Sequence, residues 1–393
     1  MELLDSPIRD YAWGSRTVLA RLQGRAAPTA GPEAELWVGA HPGAPSTLDG
    51  EDGPVSLADA IGAAPTGWLG ADTVARFGPR LPFLLKLLAA EAPLSLQAHP
   101  DLERASERFT AGDPNYVDAN HKPELLVAIE PFDALCGFRD PRRSADALEA
   151  LGGEALASIV EHLRRRELAD AVELLLTWPG NRTDLIKLVT AGNPVGDAAS
   201  DPAGNAAGDD RAGDAFADDL ALVRRLAQHY PSDPGVLVAL LLNHVHLAPG
   251  DAVWMPAGNL HSYLSGSGVE IMAASDNVLR GGLTPKRVDV GELLRVLRFD
   301  VLEEPVVKPE EVAPGVHTWP VPVDDFALHR VTRPTQLSLS GPILALCTAG
   351  EITIGDATGV VSLTPGRAAV GPASAGPLMI AGAGEVYVAS LGD

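Results

Sequence analysis

Four side chains able to hold a metal ion sit in three short segments: Gln97 and His99 in LSLQAHPD, Glu124 in NHKPELL and His261 in PAGNLHSY. Two imidazoles, a carboxylate and an amide carbonyl suit a borderline ion such as Zn²⁺. With Glu124 ionised and the amide neutral, an ion there would keep a net charge of about +1 and act as a stronger Lewis acid than in a thiolate site. Two histidines and a carboxylate also describe the facial triad of Fe(II) oxygenases, so residue chemistry alone leaves both ions open. Cations gather in the same stretches: Lys122 stands two residues before Glu124, and Arg280, Lys286 and Arg287 crowd into SDNVLRGGLTPKR. In a chain of formal net charge −22, such clustering points to an anionic ligand of the sugar-phosphate kind. The competing reading is a solvated basic face.

Positioning these groups needs strands. Alternation in LSLQAHPD puts Ser95, Gln97 and His99 on one face and Leu94, Leu96 and Ala98 on the other. LPFLLKLL (81–88) is ambiguous by periodicity, but Pro82 and the EAP at 91–93 leave too little room for a stable helix, so a strand is expected. Residues 1–140 read mainly as short strands and turns. From Ser144, a plausible N-cap, the pattern becomes helical: Leu148 and Leu151, then Ile159, Val160 and Leu163, then Val172 and Leu175 recur at helical spacing, with Pro179-Gly180 as a stop. A further helix fits DAFADDLALVRRLAQHY before Pro231, and the Gly/Ala/Asp-rich stretch near 193–215 reads as a flexible surface loop. Strand character returns after Pro234, with apolar runs broken by PG, PAGN and SGSG turns, and continues to the end. The segments PGDAVWMPAGNLHSY and TPGRAAVGPASAG look like two copies of one block, of which only the first carries a histidine.

These patterns predict a mainly β protein with an α-helical insertion. Its jelly-roll domains would resemble the cupin kind. The expected division is a catalytic domain from 1–140 with 235–310, a helical domain from 141–234 and a C-terminal jelly roll from 311–393. At 393 residues, with 46% apolar content, the chain can bury sizeable cores. Forty glycines and 33 prolines suit short strands and tight turns. The acidic balance argues against nucleic acid or an anionic membrane as a partner. Two distant cysteines, Cys136 and Cys347, indicate neither a disulfide framework nor a thiolate metal site. No apolar run approaches a membrane span and the start lacks a signal-peptide pattern. A cytoplasmic monomer is the expectation.

The blocks YAWGS (11–15), ELWVGAHPGAPS (35–46), LPFLLKLL (81–88), LSLQAHPD (94–101), NHKPELLVAI (120–129), FDALCGF (132–138), AGNLHSYLSG (257–266) and VEIMAASDNVLRGGLTPK (269–286) occur in the order seen in type I phosphomannose isomerases. The chain resembles that family over most of positions 11–286. The resemblance implies one Zn²⁺ per chain on Gln97, His99, Glu124 and His261, and a small phosphosugar interconverted between mannose 6-phosphate and fructose 6-phosphate through a cis-enediol. It places the active-site arginine on Arg280 and other pocket residues on Trp13, Lys86, His121, Lys122, Glu270, Asp276 and Lys286. For catalysis the ranking is Arg280, then Lys122 and Glu270, with Asp276 and His121 as further candidates. Trp13 would be a pocket wall, and Lys86, Lys286 and Arg280 the candidates for the phosphate. Two readings compete: an iron-dependent cupin oxygenase and a non-catalytic sugar-phosphate binding protein.

Overall fold

A computed structural model describes residues 1–50, 53–192, 209–373 and 376–392, with the backbone alone for 209–214. Its frame is two large antiparallel sheets and a helical segment, so the molecule is a mixed α/β protein. The first sheet runs in the order Val306–Val307, Ala252–Met255, Glu124–Ala128, His261–Ala273, Phe83–Ala90, Glu35–Val38 and Ile8–Arg9. Leu81–Leu88 is thus largely strand, as the flanking prolines required.

The 13-residue strand His261–Ala273 is the hub. Its second half pairs with Phe83–Ala90 on one side and Glu124–Ala128 on the other. Its first half pairs instead with Phe132–Phe138 and with Gln97. The SGSG segment at 265–268, read as a turn from sequence, lies inside this continuous strand and marks where the partners change. Gly266 has φ +120°, and a Cβ there would stand 2.6 Å from the Pro131 carbonyl oxygen. Only glycine permits that close approach, so the strand changes partners here without ending.

The second sheet, ordered Glu2–Leu4, Ala368–Gly371, Ile343–Gly355, Leu378–Ser390, Ala327–Val331, Val316–Thr318 and Glu310–Ala313, is built from the C-terminal chain plus one N-terminal strand. The two sheets meet through a shared apolar core in which Phe83, Leu85, Leu87, Leu125, Val127, Val269 and Ile271 face Leu344, Leu346, Val370 and Tyr387. Period-two alternation then sends Lys86, Glu124 and Glu270 to the opposite face of the first sheet.

Helices Pro141–Gly152, Ala157–Arg164, Leu168–Leu176, Arg182–Ala191 and Asp209–His229 form the helical segment. Leu148, Leu151, Ile159, Val160, Leu163, Val172 and Leu175 are all buried in its core, together with Leu96 and Ala98 from the strand that carries Gln97. The N-cap is Asp140 and not Ser144: its carboxylate accepts from the Arg142 amide, and Pro141 occupies the first turn, where no N–H is needed. Most of the expected surface loop, residues 193–208, lies outside the described residues. Its end from Asp209 belongs to the last helix, which starts earlier than the sequence suggested.

Three short helices at Leu57–Ala63, Pro65–Leu69 and Ala71–Phe77 interrupt a stretch read as strands and turns. The first has a signal that could have revealed it, Ser56 accepting from the Asp59 amide. Another, Leu102–Thr110, is capped by Asp101, the last residue of LSLQAHPD. Among the described residues no helix is long and apolar enough to cross a membrane.

Candidate metal centre and substrate cleft

Glu124 opens its strand directly opposite Met255 and Met272, where its carboxylate is 1% exposed. His99 follows strand Leu96–Ala98, and His261 begins the hub strand opposite Gln97 and Cys136. Both histidines bring Nε2 to 3.2 Å from Glu124 Oε2. The other ring nitrogens are occupied: His99 Nδ1 donates to the Asn277 carbonyl at 2.7 Å, and His261 Nδ1 to the Asn259 carbonyl at 3.0 Å. With Nδ1–H on a carbonyl, each Nε2 presents a lone pair, the tautomer a metal requires. His261 Nε2, although close to the carboxylate, makes no hydrogen bond and is buried. An orphaned buried nitrogen is costly unless something else binds it. The donor atoms of His99, Glu124 and His261 all lie within 4.8 Å of one another, so these residues fit a borderline metal ion. Gln97, half-buried, shares register with both His261 and Arg280 and lines the adjoining cleft.

Electrostatics keep the centre ready. Burial, together with the neighbouring Lys122 ammonium, pushes His99 down to about 4 against the opposing pull of Glu124. Burial would raise the Glu124 carboxyl, but Lys122 and His99 outweigh it and hold it well below the usual range. The imidazole is therefore neutral and the carboxylate charged near neutrality, both in ligating form. Lys122 Nζ sits 2.8 Å from Glu124 Oε1.

A cleft of about 680 Å³ opens over this centre and is lined by Trp13, Lys86, Gln97, Lys122, Glu124, Glu270, Asp276, Arg280 and Lys286. Nine of the twelve residues singled out from sequence thus meet at one surface, with His99 and His261 buried beside Glu124. His121 is the exception. Its Nε2 lies 2.9 Å from Asp325 Oδ2, which precedes the C-terminal strand Ala327–Val331, and it neither lines the cleft nor contacts Glu124. The residue beside it, Lys122, takes that contact because adjacent residues in extended chain point to opposite sides.

The cations divide into two kinds. Lys86, 6% exposed, stands between Glu270 Oε2 at 2.9 Å and Glu35 Oε1 at 3.6 Å. Burial opposes its charge, but the surrounding carboxylates of Glu270, Glu35 and Glu124 raise its pKa above the ordinary lysine value. Tyr263 donates to Glu270 Oε1 at 2.7 Å and the Trp37 indole donates to Glu35 Oε2 at 2.7 Å, which completes a buried chain. Register explains it: Trp37, Lys86 and Glu270 are direct neighbours across three strands. Asp276 accepts from His41, and this hydrogen bond lowers its pKa. By contrast, no hydrogen bond or ion pair among the described residues engages the side chains of Arg280, half-buried, or Lys286, exposed. Glu35, Trp37, His41 and Tyr263 were missed from sequence. Glu35 and Trp37 lie in the quoted block ELWVGAHPGAPS, where their two-residue spacing beside Leu36 and Val38 was the available signal.

The catalytic-domain model of type I phosphomannose isomerases matches residues 1–141. Mannose-6-phosphate isomerase of Escherichia coli K12 is 34% identical over 403 aligned residues, covering 98% of each chain. The human mannose-6-phosphate isomerase is 32% identical, covering 97% of this chain and 93% of its own. A phosphomannose isomerase of Salmonella typhimurium superposes with a TM-score of 0.87 at 33% identity, covering 100% of this chain and 99% of the other. A mannose 6-phosphate isomerase solved with zinc and yttrium gives 0.85, with the same identity and coverage. Full-length similarity at this level, joined to a buried His/Glu/His centre under a cleft that carries Arg280 and Lys286, shows that the chain belongs to the type I phosphomannose isomerase family.

Proposed function

We propose that this enzyme interconverts mannose 6-phosphate and fructose 6-phosphate with one Zn²⁺ per chain, held by Gln97, His99, Glu124 and His261. The carrying observation is that two imidazole Nε2 atoms converge on the Glu124 carboxylate beneath a cleft with two unengaged cations. When bound, the ion supplies a fixed positive charge that polarises oxygen and favours charge developing near it.

The remaining chemistry falls to the chain. After ring opening, a base removes the proton from C2, giving a cis-enediol, and returns a proton to C1, while the hydroxyl proton passes from O2 to O1. Arg280 offers its guanidinium to the oxygens that become negative, since no carboxylate among the described residues pairs with it. Glu270, paired with Lys86 and fixed by Tyr263, is the base that moves the carbon-bound proton. Lys122 supplies and recovers the oxygen-bound proton. Asp276, fixed by His41, orients the sugar hydroxyls, and Trp13 walls the cleft. Lys286, exposed at the cleft, meets the phosphate, whereas Lys86 is committed to its two carboxylates and serves as their counter-charge. His121 tethers the segment to Asp325 and takes no part in proton transfer.

We read the two sheets as cupin-type jelly rolls, with 1–140 and 235–310 forming the catalytic unit, 141–234 the helical one and 311–393 the C-terminal one. Family membership favours the isomerase over the oxygenase and the sugar-phosphate sensor. A coupled assay of fructose 6-phosphate formation, with metal analysis of the same sample, tests the proposal. Turnover should follow zinc content; full turnover in a verified metal-free sample would overturn it.

A further inference from the structure

A second cluster of metal-ligating side chains lies outside the cleft. His244 and His246 are alternate residues of strand Leu242–Leu247, the first strand after the helical segment, so both point to one face. Asp133 is paired with His246 on the adjacent strand Phe132–Phe138. His244 Nε2 lies 2.7 Å and His246 Nδ1 3.1 Å from the same oxygen, Asp133 Oδ1. The three donor atoms lie within 4.8 Å of one another. The two imidazole centroids are 4.5 Å apart.

The second oxygen of Asp133 is already fixed. Arg225, from helix Asp209–His229, donates to Oδ2 and to the Leu264 carbonyl. The carboxylate is thereby oriented with Oδ1 towards the imidazoles, the arrangement by which outer partners orient metal ligands. A bulge between Leu242 and His244 sets the register, and Asn243 at that bulge is held by the Leu302 carbonyl at 2.9 Å. His246 is 69% exposed at the side chain, and both histidines line a cleft of about 450 Å³, which leaves solvent ligands room.

From this geometry we propose that His244, His246 and Asp133 form a second divalent-metal site, selective for a borderline transition ion of the Zn²⁺ class. Two neutral nitrogens and one carboxylate oxygen match such an ion with a fourth position open to water. They do not match Mg²⁺ or Ca²⁺, which require mostly oxygen donors. Arg225 offsets the charge of Asp133, so binding rests on the imidazoles, which strengthens that preference. A bound ion would staple the strand returning from the helical segment to the strand that pairs with His261. This site does not depend on the catalytic proposal.

The test measures Zn²⁺ uptake by the full-length enzyme and by His246→Ala using equilibrium dialysis, with Mg²⁺ as a parallel probe. The readout is the difference between the two proteins, so the occupancy of the cleft centre cancels. Wild type should bind one more equivalent of Zn²⁺ than the variant, with no such difference for Mg²⁺. Saturating Zn²⁺ should also raise its Tm more than the variant's, because the ion binds only the folded pairing of the two strands. His246→Ala, altering an exposed side chain, should fold and keep basal turnover. Equal Zn²⁺ uptake by the two proteins overturns the proposal, and His246→Gln provides the same comparison if the alanine variant fails to fold.

Discussion

The two large sheets use similar strands for different ends. In the C-terminal sheet, Ile343, Ala345, Cys347, Ile352 and Ile354 bury one face among Val386, Val388 and Ile380, while Leu344, Leu346, Tyr387 and Ala389 bury the other against the first sheet. Both faces are apolar where the strands cross the core. In the first sheet, the strands Phe83–Ala90, Glu124–Ala128 and His261–Ala273 keep the apolar face towards the shared core but turn Lys86, Glu124 and Glu270 to the other. Burying charges costs free energy unless they are paired. The first sheet meets that cost with a chain of partners from Trp37 through Glu35, Lys86 and Glu270 to Tyr263. The C-terminal sheet needs no such chain where its strands cross the core, because both of its faces there are apolar.

Four substitutions or conditions can break this contrast. The largest effect is expected for Glu124→Ala, which removes the carboxylate proposed to hold the metal and leaves Lys122 as a buried, unpaired ammonium. One equivalent of bound zinc and all turnover should be lost, and urea unfolding should show a loss of about 3–5 kcal/mol, the cost of breaking a buried pair. A zinc stoichiometry equal to that of wild type would show that the His/Glu/His centre is not a binding site. In the C-terminal sheet, Ile352→Ala should cost about 2–5 kcal/mol through cavity formation, yet leave the kcat of folded protein unchanged. A matching fall in kcat would mean that this sheet takes part in catalysis.

Arg280→Ala sharpens the comparison from the other side, since no partner among the described residues depends on its guanidinium. Turnover should fall by about 10²–10³-fold, the usual worth of one donor to developing negative charge, with zinc content and Tm held. Near-normal kcat would refute its role. The smallest effect concerns pH in the metal-free protein. Burial and Lys122 push His99 down to about 4, whereas an unfolded histidine titrates near 6.5. The unfolded state thus binds the proton first. The stabilising contribution is complete above about pH 6.5, declines as pH falls towards 4 and then levels off. His99→Gln should flatten that decline in urea unfolding at several pH values; identical slopes for wild type and variant would remove His99 as its source.

Much of the site was legible before the fold. Gln97, His99, Glu124 and His261 stood out only in combination, because a single Q-x-H in an alternating strand is equally well explained by a polar face or a satisfied core histidine. The helical segment was legible because Leu148, Ile159, Leu163 and Leu175 repeat at a helical period that the core then enforces. His121 shows the limit: the resemblance placed it in the pocket, but extended chain turns neighbours to opposite sides, and it meets Asp325 instead. The short helices of 57–77 escaped because each carries too few turns to impose a period. The segment around Gly266 was read as a turn because glycine spacing does not say whether a strand ends or only changes partners.

By itself, the sequence determined the chemistry available and the face of each strand on which it lies, because both follow from residue type and a two-residue period. Only the tertiary structure decided which charges are engaged. Lys86 and Arg280 are both cations in family-like blocks, yet one is held between Glu35 and Glu270 while the other has no hydrogen-bond or ion-pair partner among the described residues. That difference is set by the register between strands distant in sequence, because a contact of about 3 Å depends on which residues stand opposite one another.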